Sequence, residues 1–244
     1  MLLRIFYFLY QWLIFFPLLF ISTALAALFT IVGCFIGNSK FWGYYPAALW
    51  CRIVCFLALI KIKVTGKENV DKNTSYIFVA NHQGTFDIFL IYGYLGNNFR
   101  WMMKKSLQYM PFAGQACVAA GHIFVDRKSR AGIVESLKKA KSQLKNGIST
   151  VIFPEGTRTK DGKMHAFKKG AFQIALELKL PIVPLTIDGS YNIMKRGAWM
   201  LNFGKMSLTI HPPVSTENLS QENMPELMDS VWNTIAEPLG ESKK

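Results

Sequence analysis

The chain has 244 residues, 51% of them hydrophobic, and a net charge of +13 at neutral pH, which suits one large α/β domain with an apolar segment attached. It contains no zinc-finger spacing, RNA-recognition motif or long basic tract, so the charge favours an anionic membrane surface or an acidic substrate carrier over nucleic acid. Its four cysteines form no CxxC pair, which gives no signal for a metal site or a disulfide and favours a reducing compartment.

The first apolar run, residues 5–37, contains no charged residue. It is longer than the about 20 residues that a helix needs to span a bilayer. Gln11 and Pro17 interrupt it, so it predicts either one tilted span with an interfacial lead-in or two short pieces broken at the proline. Its length and the lack of a small-residue cleavage site argue against a cleaved signal peptide.

A second apolar run, residues 41–60, carries only Arg52. It opens with the aromatic cluster at 41–45, and such rings favour the headgroup layer of a membrane. Whether the two runs cross the bilayer or lie in one leaflet stays open, but both predict attachment to it. We therefore expect membrane-associated helices over residues 1–60 and an α/β domain over residues 61–244.

Strands and helices alternate from residue 61 onward. Alternating or continuous apolar residues bounded by turn residues predict strands at 61–66, 75–80, 99–103, 122–126, 149–153, 182–187 and 206–211. Apolar residues at helical spacing predict helices at 87–95, 130–145, 169–180 and 224–235, the last of them polar. This alternation indicates an α/β fold with a mixed, largely parallel sheet flanked by helices. In such sheets, sites collect at the carboxyl ends of the strands.

The stretch "FVANHQGTFDIF" places His82 directly after a predicted strand and Asp87 five residues later. A turn at Gly84 can fold the acid back onto the imidazole, holding one ring nitrogen as N–H and leaving the other as a base. No serine or cysteine lies between them, so the pair fits a reaction whose nucleophile arrives with the substrate, such as an alcohol that attacks an activated acyl group. The alternative is a structural histidine bonded to a helix N-cap.

A second polar cluster, "VIFPEGTRTKDG", follows another predicted strand. Pro154 and Gly156 shape a tight turn, and Glu155, Thr157 and Arg158 emerge at the same edge of the sheet as the histidine. An arginine beside a glycine turn suits bidentate contact with a phosphate. An ordinary surface loop is the alternative.

Two further strand ends add cations to this edge. Lys105 follows the strand at 99–103, and Arg127 follows "GHIFVD". Each cation alone is best explained as surface charge, but together around one base they indicate a site for a phosphorylated alcohol. Cys117 is a possible nucleophile without a supporting motif, and a small buried thiol is the favoured interpretation.

These segments carry a family resemblance. "NHQGTFD" resembles the NHxxxxD box of the glycerolipid acyltransferase superfamily, "GHIFVDR" its second box, "FPEGTRT" its third and "IVPLTI" its fourth. All four occur in the expected order within residues 64–211. Within the superfamily, the chain is most similar to the bacterial type of 1-acylglycerol-3-phosphate acyltransferases.

The resemblance implies a role for each matched residue. His82 would be the general base, and Asp87 would orient it. The residues that bind the lysophosphatidic acid acceptor would be Lys105, Arg127, Glu155, Gly156, Thr157 and Arg158. No metal and no organic cofactor is expected.

The resemblance also implies the partners. Acyl-CoA or acyl carrier protein would donate the acyl group, and phosphatidic acid would be the product. Because these donors are cytosolic, we expect a bacterial inner-membrane protein whose catalytic domain faces the cytoplasm. The acceptor could instead be glycerol-3-phosphate, lyso-ornithine lipid or another lysophospholipid. A non-catalytic lipid-binding protein is a further alternative, against which the intact histidine–aspartate pair argues. No GxSxG elbow supports a hydrolase.

Overall fold

The computed structural model describes residues 2–126 and 129–242, and over these the chain forms a seven-stranded sheet with helices on both faces. The strands are β1 (Ile60–Thr65), β2 (Ile77–Ala80), β3 (Phe99–Lys104), β4 (Ile123–Val125), β5 (Ser149–Ile152), β6 (Ile182–Asp188) and β7 (Gly204–Ile210). Their order is β1-β7-β6-β2-β5-β3-β4, and each neighbouring pair is parallel except β6 and β7. The predicted fold class, a mixed and largely parallel sheet, is confirmed.

The helices follow the predicted alternation. They are α1 (Leu2–Tyr10), α2 (Phe16–Ile36), α3 (Ser39–Trp42), α4 (Tyr45–Leu57), α5 (Phe86–Tyr94), α6 (Ala113–Ala119), α7 (Arg130–Gln143), α8 (Gly170–Leu178), α9 (Ser190–Ile193) and α10 (Met224–Ala236). The expectation of a polar last helix was wrong. The apolar residues of α10 recur every three or four positions, so Leu227, Val231 and Ile235 form a buried stripe.

The first apolar run is one continuous helical rod rather than two pieces. A π-turn, Gln11–Phe15, joins α1 to α2. Pro17 comes directly after this turn, where the hydrogen-bond ladder is already shifted, so the rod passes the proline without a break. The stretch Leu3–Ile36 is long and apolar enough to cross a membrane.

Gln11, a polar residue within this run, docks the rod onto the sheet domain. Its side-chain amide donates to the carbonyl of Leu201 (3.1 Å) and accepts the N–H of the same residue (2.9 Å). Tyr7 adds a hydrogen bond from its hydroxyl to the carbonyl of Ala58 (2.9 Å). The polar atoms of Gln11 and Tyr7 therefore attach the rod to the rest of the chain, and the other sides of the rod are apolar.

The aromatic cluster at 41–45 divides between surface and core. Phe41 and Tyr45 are exposed, as expected of rings in a headgroup layer. Tyr44 is instead buried and stacks on Tyr92 with 5.5 Å between ring centroids. It is a core residue because α4 packs against α5, which carries Tyr92.

The core occupies both faces of the sheet, with β2 at its centre. Phe78 and Ala80 belong to the cluster that includes α4 and α5, and Ile77 and Val79 belong to the cluster that includes α8 and α10. A strand that is buried on both faces has a continuous run of apolar residues, and residues 76–80, "YIFVA", show this pattern. This packing holds the carboxyl end of β2 rigidly.

Candidate active site

Asn81 fixes the chain at the point where β2 ends. Its side-chain amide donates to the carbonyl of Ile187 and accepts the N–H of the same residue, both at 2.8 Å. Ile187 lies on β6, the neighbouring strand. A buried asparagine directly after an apolar strand was the available signal, but the sequence did not reveal its partner. The segment that starts at His82 is thus tied to two strands.

The structure brings His82 and Asp87 into contact. Nδ1 of the imidazole lies 2.7 Å from Oδ2 of the carboxylate. The same oxygen accepts the backbone N–H groups of Gln83 (2.7 Å) and Gly84 (3.0 Å). The carboxylate is fully buried in the first turn of α5, where the positive end of the helix dipole favours negative charge. Nδ1 therefore carries the proton, and Nε2 is left with a lone pair.

Gly84 is needed for close approach rather than for flexibility. A Cβ at this position would lie 2.6 Å from the carbonyl oxygen of Ser190 and 3.0 Å from that of Met194. The loop between β2 and α5 therefore packs directly against backbone that follows β6, and only glycine leaves room for it.

Phe153 holds the imidazole from one side. The two rings stack with centroids 3.9 Å apart and planes 11° apart. Trp101 in turn stacks on Phe153 at 5.7 Å. The side chain of His82 keeps 13% of its surface exposed, so the ring is held in place but reachable. The sequence showed Phe153 only as the end of a strand.

Glu155 lies differently from what its place in the polar loop suggests. Its side chain is turned inward and the residue is only 4% exposed. Oε1 accepts the N–H of His82 (2.8 Å), and Oε2 accepts the N–H of His165 (3.1 Å). Burial raises the pKa of Glu155 to about 7, although the two N–H donors act in the opposite direction. This carboxylate supports the backbone of His82.

Replacing Glu155 by glutamine is expected to flatten the pH dependence of stability between about pH 4.5 and 7. In that window the folded protein keeps a proton on Glu155 that the unfolded chain has released, so the wild type loses stability as the pH rises. The loss amounts to roughly 3 kcal/mol across the window. Unfolding curves of both proteins in one detergent at several pH values would measure it. Parallel pH profiles would contradict the raised pKa.

The remaining residues of the polar loop are a left-handed glycine and two side chains that bond to neighbouring segments. Gly156 adopts φ +78°, a left-handed conformation that favours glycine. Nη1 of Arg158 donates to the hydroxyl of Thr85. The hydroxyl of Thr157 accepts a hydrogen bond from Arg196 (3.2 Å), a residue that the sequence patterns did not single out. Arg158 is therefore held at the same edge of the sheet as the imidazole.

Of the two other predicted cations, Lys105 is less closely tied to this cluster. Lys105 is exposed and begins the 3₁₀ turn Lys105–Tyr109 directly after β3. Since β3 and β2 both run parallel to β5, the lysine lies at the same edge as His82. Arg127 lies outside the described residues.

An apolar cavity of about 240 Å³ lies behind the stacked rings. Trp101 and Met103 line it together with residues of α2, α4, α5 and α6. Cys117 lies in its wall, and burial raises the pKa of this thiol to about 11. The thiolate form is thus disfavoured at neutral pH, as expected of a buried structural cysteine. The cavity is apolar enough to accept part of an aliphatic chain, and Trp101 is the ring of the stack that lines it.

Comparisons with known proteins agree with this geometry. Residues 61–188 match the family model described as Acyltransferase. The 1-acyl-sn-glycerol-3-phosphate acyltransferase of Saccharomyces cerevisiae is 35% identical over 208 residues, which cover 82% of this chain and 68% of the yeast protein. A chloroplastic protein of the same name from Arabidopsis thaliana is also 35% identical, over 70% of this chain and 48% of its own length. The chain thus spans about two thirds of one relative and about half of the other.

A solved structure extends the likeness to nearly the whole chain. The crystal structure of the 1-acyl-sn-glycerophosphate (LPA) acyltransferase PlsC from Thermotoga maritima superposes with a TM-score of 0.83 at 28% identity, covering 99% of both chains. With family model, relatives and fold in agreement, this chain belongs to the acyltransferase family, among the 1-acyl-sn-glycerol-3-phosphate acyltransferases.

Proposed function

We propose that the chain transfers a fatty acyl group from a thioester donor to the sn-2 hydroxyl of lysophosphatidic acid, giving phosphatidic acid. The observation that carries this proposal is the His82–Asp87 contact of 2.7 Å. Among the described residues, no group hydrogen-bonds Nε2 of His82, so this nitrogen is available to a substrate. The relatives named for this reaction support the choice of acceptor.

The proposed chemistry needs one base and no protein nucleophile. Nε2 of His82 removes the proton of the sn-2 hydroxyl while the oxygen attacks the thioester carbonyl. Asp87 stabilises the imidazolium that forms. The tetrahedral intermediate then expels the donor as a thiolate. This thiolate receives the proton that Nε2 took from the hydroxyl, so the imidazole is neutral again after each transfer.

We place the phosphate of the acceptor against Arg158, with Gly156 and Thr157 forming the loop around it. Lys105 adds positive charge at the same edge, and the family resemblance assigns Arg127 to the same substrate. Glu155 contributes by holding the backbone of His82, as its two backbone hydrogen bonds indicate.

Replacing Arg158 by alanine is expected to raise the KM for lysophosphatidic acid by about 10- to 100-fold and to change kcat little. The reason is the loss of charge-assisted hydrogen bonds to the phosphate. Steady-state kinetics with varied acceptor would measure the change. Lys160, an exposed cation two residues further along, offers a matched control as Lys160→Gln. An unchanged acceptor KM in the Arg158 variant would contradict the phosphate role.

We propose that residues 1–60 attach the catalytic domain, residues 61–244, to the cytoplasmic side of a bacterial inner membrane. Along the rod of α1 and α2 the side chains of Phe6, Leu13, Phe20 and Phe35 are exposed. Such a row of apolar side chains on the surface is favourable only against lipid or another apolar partner. The acyl donor would approach from the aqueous side.

A thioester-release assay on the full chain in mixed micelles tests the function. Both acyl-CoA and acyl carrier protein are offered as donors, and lysophosphatidic acid, glycerol-3-phosphate and lyso-ornithine lipid as acceptors. We expect release that depends on lysophosphatidic acid and produces phosphatidic acid. Faster acylation of another acceptor would show that lysophosphatidic acid is not the preferred substrate. Lipid binding without thioester consumption would overturn the enzyme assignment.

A further inference from the structure

The loop between α9 and β7, residues 194–203, contacts the candidate active site at its beginning. The carbonyl of Met194 accepts the N–H of Thr85 (3.2 Å). Two residues later, Nη1 of Arg196 donates to the hydroxyl of Thr157 (3.2 Å). The α9–β7 loop therefore lies against both segments that surround Arg158.

These contacts close a ring. Arg158 bonds to Thr85, Thr85 bonds to Met194, and Arg196 bonds back to Thr157, the neighbour of Arg158 in the chain. Both guanidinium groups thereby bond to hydroxyls within this ring, that of Thr85 and that of Thr157. Neither forms an ion pair with a carboxylate among the described residues. Two unpaired cations held together repel each other, and an anion bound between them would remove this cost.

The other end of the α9–β7 loop is attached to the apolar rod. Gln11 exchanges two hydrogen bonds with Leu201, and the ring of Phe203 packs edge-on against Tyr7 at 5.2 Å. Between these contacts and Arg196, Trp199 is 89% exposed. Indole rings favour the headgroup layer of a membrane. The loop thus connects the exposed apolar rod with the segments at Thr85 and Thr157 that lie beside Arg158.

We propose that Arg196 is a second phosphate-binding residue for the lipid acceptor, acting as a clamp together with Arg158. The inference rests on the proposed function and extends it to the selection of the headgroup. A phosphomonoester offers three terminal oxygens and close to two negative charges, which suit two guanidinium groups. A phosphodiester has only two such oxygens and one charge. The clamp therefore selects a lysolipid that ends in a phosphomonoester.

A purely structural role for Arg196 makes a different prediction. If its bond to Thr157 only held the loop in place, then removing the guanidinium would loosen the loop and lower the melting temperature of the variant. A loosened loop would also disturb catalysis with every acceptor alike. A phosphate contact affects the acceptor KM and spares the donor KM.

The test compares Arg196→Gln with Lys195→Gln in the full chain in mixed micelles. Lys195 is an exposed cation of the same loop without a side-chain bond to Thr157. We expect Arg196→Gln to raise the KM for lysophosphatidic acid by about 10- to 100-fold, with the donor KM and kcat within about threefold. Inhibition by glycerol-3-phosphate should weaken by a similar factor. Arg196→Lys should be intermediate, and Lys195→Gln should resemble the wild type.

Selectivity gives a second readout. The preference for lysophosphatidic acid over lysophosphatidylglycerol, a phosphodiester, should fall in Arg196→Gln by about the factor by which the acceptor KM rises. An unchanged acceptor KM, or a loss of kcat that is equal for every acceptor, would overturn the clamp. Melting temperatures of all variants identify any that fails to fold. If Arg196→Gln fails to fold, the acceptor KM of Arg196→Lys decides whether the clamp exists. Failure of the proposed function would show already in the wild type, as no transfer to lysophosphatidic acid.

Discussion

Replacing His82 by alanine is expected to lower kcat for acyl transfer by about 10²- to 10⁴-fold, the usual contribution of a general base. The imidazole is the group positioned to receive the proton of the attacking hydroxyl, since its Nδ1 is occupied by Asp87 and its Nε2 is available. The acceptor KM should change little, because we place the phosphate against Arg158 and not against the imidazole. Thioester release and product formation, measured together, would show the loss.

Two controls separate catalysis from folding. His82→Gln keeps a polar side chain against Phe153 but cannot act as a base, so it should be as inactive as the alanine variant. His211→Gln changes another histidine, one whose Nε2 lies 2.8 Å from the hydroxyl of Thr186, and should stay active. A His82→Ala protein that melts like the wild type and keeps more than a tenth of its kcat would rule out the mechanism.

The parts of the fold that sequence patterns predicted are those with local causes. Strands bounded by turn residues and helices with an apolar stripe depend on neighbouring residues, and so does the contact between His82 and Asp87, which one turn of chain brings together. The family resemblance then pointed to the loop at 155–158. Neither the local sequence patterns nor the family resemblance required knowledge of which strands are neighbours.

The parts that the sequence did not reveal depend on strand order. The support of His82 by Glu155 spans 73 residues, and the bond between Asn81 and Ile187 spans 106. Both exist because β2 lies between β5 and β6. A carboxylate in a polar loop usually faces solvent unless buried donors are present to bind it. The residue pattern therefore placed Glu155 at the edge of the sheet, and the family resemblance assigned it to the acceptor. The donors are backbone N–H groups, which no residue pattern displays.

The apolar rod illustrates the same limit. Proline within an apolar run usually breaks a helix, and one of the two predicted outcomes for residues 5–37, two short pieces, followed from that rule. The structure adds a π-turn and a docking partner for Gln11, the backbone of Leu201, 190 residues away. The polar residue that suggested an interruption is the one that joins the rod to the catalytic domain. It also joins the rod to the loop that carries Arg196.

Replacing Asp87 by asparagine is expected to lower kcat by about 10³- to 10⁴-fold, comparable to loss of the acid in a serine-protease triad. Oδ2 of Asp87 accepts Nδ1–H of His82 and two backbone N–H groups. An asparagine oxygen in that place keeps hydrogen bonds but loses the charge that stabilises the imidazolium. If the amide nitrogen takes that place, it faces the two backbone N–H groups and Nδ1–H, which are all donors. The imidazole then favours the tautomer with its proton on Nε2, which cannot act as the base.

The other oxygen of Asp87 makes both orientations of the amide costly. Oδ1 is buried and has no hydrogen-bond partner among the described residues, so an NH₂ group placed there would be an unsatisfied buried donor, costing about 1–3 kcal/mol of stability. Asp161→Asn is the matched control, because Asp161 also lies beside a histidine, His165, at 3.7 Å, but this pair is exposed. Its kcat should stay within about twofold of the wild type. If Asp87→Asn kept kcat within tenfold while folded, the imidazole would need only a hydrogen-bond acceptor, and the buried charge would have no part in the transfer.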